Sequence, residues 1–323
     1  MEKKLRIASS PFLRNSKTST QKIMLDVCIA LLPAVAMSVY IFGLRALIIV
    51  ALSTLSSIAF EVLFQALTKQ KITFTDGSAA VTGLLIGLNI PASAPLWLPV
   101  FGSLIAIVLV KQLFGGLGQN FMNPAMIART VLFISWASYM SAKMIPETGT
   151  LFQGFVAQTD FVSVATPLGN MEAYPTLWQL FFGTIPGMLG ETSKLALLLG
   201  GLYLIYKNVI DWRIPVFMIG TVFVLFYIHT GVIYSTESGM DNALSQILSG
   251  GLFLAAFFMA TDYVTCPIYK SGRILVAVVC GALIFVIRVY GNYPEGTSFA
   301  VLFMNILTPL VDKYTRPKSF GEV

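Results

Sequence analysis

The sequence predicts an all-α integral membrane protein of about ten transmembrane helices. Three observations carry that expectation: the composition, the spacing of the apolar runs, and the uneven distribution of basic residues. Of 323 residues, 56% are hydrophobic and 11% charged, and the mean hydropathy is +0.79. A soluble domain carries about 25% charged residues because its surface must stay wet. A chain this poor in charge cannot cover itself with polar groups, so its surface faces lipid.

A spanning helix needs about 20 apolar residues at a rise of about 1.5 Å each. Apolar runs of suitable composition occur near 24–42, 44–67, 77–90, 96–113, 124–140, 193–206, 212–230, 244–261, 273–290 and 298–312. The third is too short to cross alone as a regular helix, and Pro91 and Pro95 stop it. Such interrupted spans are tolerated only inside a bundle, where protein or ligand satisfies the freed backbone. Residues 1–22 hold six basic side chains and no apolar core, so insertion is expected to rely on the first span.

Alternating sides from a cytoplasmic N-terminus gives 17 basic residues on inner segments against four on outer ones, Arg45, Lys143, Lys194 and Arg288. That asymmetry is the positive-inside rule at work. It places both termini in the cytoplasm and accounts for the net charge of +6 without nucleic acid as a partner. The expected organisation is a cytoplasmic segment 1–23, a five-helix half 24–140 and an external segment 141–192. A second five-helix half 193–312 and a cytoplasmic tail 313–323 complete it. Two related halves with an odd number of spans must insert with opposite topology, the inverted-repeat architecture with broken helices. Two pairs of features hint at such a 5+5 repeat. Asp76 and Asp241 each open a run that ends in proline, and Asn123-Pro124 in the fifth span is matched by Asn305 and Pro309 in the tenth.

Cys28, Cys266 and Cys280 show no metal spacing and read as packing residues. Acidic residues at or inside span ends, Asp26, Glu61, Asp76 and Asp262, are costly unless paired or wet. They serve as caps and ion-pair partners, or one or two of them belong to an ion path. The run GGLGQNFMNPA at 115–125 places Gly118 among flexible glycines. Asn120 and Asn123 supply amide donors and acceptors, and Pro124 suits a first helical turn. Such a run can wrap a polar heterocycle where a helix begins; a tight inner loop with asparagine caps would look the same. Gly77, Gly83 and Gly87 form a small-residue face for close helix packing. In the external segment, Asp160, Ser163, Ala165, Thr166 and Pro167 form a DxxSxATP stretch. No histidine is near to activate Thr166 as a nucleophile, so any role is as an acceptor modified by another enzyme.

These glycine-rich runs and the DxxSxAT stretch together resemble one family over nearly the whole chain. It contains the D subunit of the Rnf complex and the B subunit of the sodium-pumping NADH:quinone oxidoreductase. The resemblance implies that Thr166 is esterified to the phosphate of FMN by a dedicated flavin transferase, with Asp160, Ser163, Ala165 and Pro167 as its recognition context. Val164 stands where the family usually has glycine, and Met122 replaces a phenylalanine in the N-x-F-N-P-A run at 120–125. The first span begins by about residue 24, which favours the Rnf branch. That branch implies membership of a prokaryotic inner-membrane complex coupling electron flow between reduced ferredoxin and NAD to Na⁺ or H⁺ movement. Ferredoxin and NAD would be met only through partner subunits. The resemblance also leaves room for a second, non-covalent flavin such as riboflavin near residues 115–125. Arg129, one turn into the fifth span, then reads either as a topological anchor or as a counter-charge for a flavin or lipid phosphate. Two readings from other classes fit the span pattern alone: a small-solute channel or transporter, and a structural scaffold within the same complex. A transporter has no reason to carry the DxxSxAT stretch, and a scaffold would show no flavin redox transition.

Overall fold

A computed structural model describes residues 19–141, 175–234, 242–291 and 296–317. Among them the chain forms thirteen α-helices, one 3₁₀ turn (Phe74–Asp76) and two π-helical stretches, with no strand. Four are individually long and apolar enough to cross a membrane: α1 (Thr20–Phe42), α2 (Leu44–Leu67), α9 (Arg213–Thr230) and α12 (Lys270–Tyr290). The other expected spans are shorter, interrupted or, for the last of them, less apolar. They are α3 (Ser78–Leu88), α4 (Trp97–Leu104), α5 (Pro124–Ser135), α8 (Lys194–Tyr206), α10 (Ala243–Leu248) and α13 (Thr297–Thr315). α4 runs on as a π-helix over Ile105–Gln112, and α11 (Leu252–Leu254) does so over Ala255–Met259. Short helices α6 (Ala137–Ser141) and α7 (Leu177–Phe182) complete the set.

Local chemistry sets the helix starts. Ser19 accepts from the Lys22 N–H, Asn123 from Ala125 and Met126, Ser193 from Ala196, and Asn242 from Ser245. Each side chain satisfies donors that a helix N-terminus leaves free. Asp76 accepts from both the N–H and the hydroxyl of Ser78 at the start of α3. The glycines of α3 let it lie against α2. A Cβ on Gly83 would sit 2.6 Å from the Thr54 Cα, and one on Gly87 2.8 Å from the Val50 Cα.

α2 lies on α3 and α4, and α9 lies on α10 and α12. α1 packs on α8, and α5 on α13. At the second contact, Asn123 and Asn305 come together. With its amide oriented to suit its neighbours, Asn305 accepts from the Asn123 N–H at 3.1 Å and donates to the Val301 carbonyl. Two residues that the sequence pairs by analogy are therefore partners in space.

The helix breaks explain the basic residues that the charge pattern leaves outside. Arg45 donates to the carbonyls of Ala92 and Ala94, at 2.7 and 3.0 Å, in the stretch that follows α3. Arg288 donates to those of Gln246 and Ser249, at 2.6 and 3.2 Å, where α10 stops. Lys194 donates to the Glu191 carbonyl and, at 3.1 Å, to that of Gly250. Lys143 lies outside the described residues. A broken helix in an apolar setting exposes carbonyls that lipid cannot satisfy, and a cationic side chain from a neighbouring element does so.

Candidate functional site

Two buried clusters lie along the short helices. The first surrounds the breaks. Arg129, on α5, forms an ion pair with Glu191 at 2.5 Å and donates to the Asn89 side-chain oxygen at 2.7 Å. Asn89 donates in turn to the Leu85 carbonyl at 2.6 Å and lies against the Met259 sulfur. The segment carrying Glu191 is held to the end of α3 by backbone bonds, Gly190 N–H to the Leu88 carbonyl and Leu189 N–H to that of Ile90. Gly251 completes the enclosure, since a Cβ there would lie 2.5 Å from a Glu191 carboxylate oxygen. Arg129 is thus a 5% exposed side chain paired within the bundle, and Glu191 is buried with it.

The second cluster is a cavity framed by α1, α3, the start of α5, the end of α8 and the π-helix after α11. Ile23, Val27, Val81, Leu85, Leu204, Phe257 and Phe258 form apolar walls, with Ser78, Thr82, Lys111, Asn120, Asn123, Thr261 and Asp262 as polar lining. The Asn123 oxygen caps α5 and its amide donates to the Met259 carbonyl at 3.2 Å, so this side chain shapes the cavity. Asn120 donates to the Met122 carbonyl at 3.0 Å and also bonds Asp262. At one end Lys111 meets Glu61 and the Ser78 hydroxyl, each at 2.6 Å, and Gln112 donates to the same Glu61 oxygen at 2.7 Å. The other Glu61 oxygen, Oε2, has no hydrogen-bond partner among the described residues, nor has the Ser57 hydroxyl one turn earlier on α2.

Of the sequence-derived site residues, the fold brings Asn120 and Asn123 to this cavity. Gly118 sits in the exposed turn before them at φ +90°, with open space around it. Arg129 belongs to the break cluster. Asp160, Ser163, Ala165, Thr166 and Pro167 lie outside the described residues. The acidic residues flagged by cost are engaged: Asp26 accepts from the Tyr203 hydroxyl at 2.8 Å, Asp76 caps α3, Glu61 pairs with Lys111, and Asp262 accepts from Thr265. The sequence reading missed Asn89, Lys111 and Lys194 as buried partners. The available signal was a polar side chain inside or bordering an apolar run, which is costly unless paired.

A family model described as the NQR2, RnfD, RnfE family matches residues 6–321. One relative is the D subunit of the Na⁺-translocating ferredoxin:NAD⁺ oxidoreductase complex of Acetobacterium woodii. It is 45% identical over 99% of this chain and 96% of its own length. The D subunit of the proton-translocating ferredoxin:NAD⁺ oxidoreductase complex of Clostridium ljungdahlii is 41% identical, over 98% of this chain and 96% of its own. The D subunit of an ion-translocating oxidoreductase complex of Stutzerimonas stutzeri is 40% identical, over 94% and 93%.

Proposed function

This chain belongs to the NQR2, RnfD, RnfE family, and from that membership we propose that it is the RnfD-type membrane subunit of an ion-translocating ferredoxin:NAD⁺ oxidoreductase complex. The observation that carries the reading is near-full-length similarity to relatives that are the D subunits of such complexes. Those two relatives differ in the ion they are named for, so similarity leaves Na⁺ and H⁺ open. The ten-span, 5+5 arrangement in a prokaryotic plasma membrane, with both termini cytoplasmic, belongs to this proposal. So do the other Rnf subunits as partners, through which ferredoxin and NAD are reached.

The proposal includes FMN esterified to Thr166 by a flavin transferase, and a second, non-covalent flavin such as riboflavin in the cavity. Bound flavin would supply the one- and two-electron redox chemistry, and the protein would supply its position and surroundings. The lining, and not the enclosed volume of about 100 Å³, supports that placement: apolar walls would face the ring and amide, hydroxyl and carboxylate groups its heteroatom edge, with the walls parting to admit it. Asn120 and Thr261 would bond that edge. Asp262 orients Asn120, and Phe257 and Phe258 exclude water. Glu61 is the acidic residue we assign to the ion path, because its buried Oε2 keeps acceptor capacity that the protein does not use.

In-gel fluorescence of the denatured subunit, from cells that make the flavin transferase, tests the covalent flavin. A fluorescent wild-type band that Thr166→Ala abolishes is expected. A dark wild-type band would sink the covalent flavoprotein reading, and a band that survives Thr166→Ala would move the attachment elsewhere. Extraction of native protein should release the second flavin, and Asn120→Leu should lower its yield. A full yield from that variant would remove the cavity assignment.

A further inference from the structure

We propose that a second cavity, on the side that the charge pattern makes cytoplasmic, binds the phosphate of an anionic lipid headgroup. The cavity measures about 340 Å³ and lies between the α8–α9 loop, the segment before α12 and the first turn of α12. Asp211, Trp212, Arg213, Tyr263, Cys266 and Arg273 are among its lining residues. It adjoins the first cavity, with which it shares Val209, Ile210, Thr261 and Tyr263, but the electron-transfer reading does not use Asp211, Arg213 or Arg273, and the proposal requires only that the chain spans a membrane.

Charge and unused donors point to an anion. Asp211 is shared by two guanidinium groups, Arg213 at 2.9 Å and Arg273 at 2.8 Å, so the trio carries a net positive charge. The Arg213 backbone N–H also bonds Asp211, and Arg273 Nε donates to the Pro267 carbonyl. That leaves Arg273 Nη2, Arg213 Nη2 and Arg213 Nε without a hydrogen-bond acceptor among the described residues. The arginine side chains are 25% and 28% exposed, so these donors can reach a ligand. Burial alone would push the Asp211 carboxyl up, but the Arg213 N–H and the two guanidinium groups hold it below the usual carboxylate range. It therefore stays charged and fixes both arginines instead of releasing them. A guanidinium held in place this way presents its remaining N–H groups as a preset fork for phosphate oxygens.

The surroundings favour a lipid as the source. Trp212 packs under Arg213, with the guanidinium 5.3 Å from the ring centroid. Tyr206, Trp212, Tyr263 and Ile268 are exposed around the cavity, and Lys207 and Lys270 border it in sequence. Aromatic and basic residues at a helix end mark the headgroup level, and basic pockets there take anionic headgroups.

The test uses the purified complex in nanodiscs of phosphatidylcholine, with or without phosphatidylglycerol. Peptide mass spectrometry reads phenylglyoxal modification of Arg213 and Arg273 in the unaltered protein. Phosphatidylglycerol should protect both arginines. Arg273→Gln should weaken its retention, read by native mass spectrometry, about five-fold, the expectation for one guanidinium. Asp211→Asn, which frees both arginines from the carboxylate that fixes them but keeps their charge, should weaken retention by less than Arg273→Gln; a larger loss than Arg273→Gln would overturn the arginines as the phosphate ligands. Protection by inorganic phosphate in phosphatidylcholine discs would keep the phosphate chemistry but assign it to a soluble source, overturning the lipid. Protection by neither probe overturns the proposal. So does protection in phosphatidylcholine alone that disappears when a cytoplasmic subunit is stripped, because a partner protein then fills the cavity.

Discussion

The same chemistry, guanidinium on carboxylate, occurs in two settings in this molecule and does different things. Arg129 and Glu191 meet at 2.5 Å, both nearly inaccessible, and join α5 to the segment that follows α7. Arg213, Arg273 and Asp211 meet at similar distances but remain partly exposed, with donors to spare. Buried, the pair must be complete, because removing one partner takes the counter-charge from the other where bulk water cannot replace it. At the surface the trio is worth little to stability and is free to be a recognition feature. Position, and not pair type, decides whether charge holds the fold or reads a ligand.

Substitutions can break that comparison. The largest effect is expected for Arg129→Met or Glu191→Gln, each of which takes the counter-charge from its partner among the helix breaks. A loss of about 3–5 kcal/mol should appear as failed assembly or a collapse of thermal stability in detergent. The double variant Arg129→Met/Glu191→Met should recover part of it, since no unpaired charge remains; equal loss in single and double variants would contradict the pair's role. Gly251→Ala comes next, because its Cβ would press on the Glu191 carboxylate, and a cost of about 1–3 kcal/mol is expected. Asn123→Ala removes a cap on α5 and the tie to Met259, for about 1 kcal/mol from the cap alone.

Asp211→Asn should give the smallest change, within about 1 kcal/mol and reduced by salt. Its pH dependence has a definite sign. The folded carboxyl titrates below its unfolded counterpart, so its stabilisation is fully present above about pH 4 and is lost as pH falls through the lower folded value. Melting curves of wild type and Asp211→Asn should therefore converge only in acid; convergence at neutral pH would contradict the assignment.

How much of this was legible in the sequence follows from the same contrast. The break after α3 was, because Pro91 and Pro95 announce it locally. The break at Ser249–Gly251 was not. Residues 244–261 read as one continuous span, because Ser-Gly-Gly also suits a tightly packed helix. What ends α10 is tertiary: Arg288 and Lys194 take carbonyls from 39 and 56 residues away. Likewise, Glu191 falls within the segment 141–192 that reads as external, and its burial depends on contacts such as that with Arg129. Asn120 and Asn123 stood out by their local pattern, but the cavity they line needs Asp262, Phe257 and Leu204 from the second half. No local rule brings those together. The Thr166 assignment rests on resemblance, and its stretch lies outside the described residues.

The most direct test of the central proposal, a flavin-bearing electron-carrying subunit, is the intact mass of the chain purified from its complex. Wild type should be heavier than its sequence by one esterified FMN, and Thr166→Ala, or protein from cells lacking the flavin transferase, should show the unmodified mass. A wild-type chain at the unmodified mass, purified from an assembled complex and in the presence of the transferase, would contradict it.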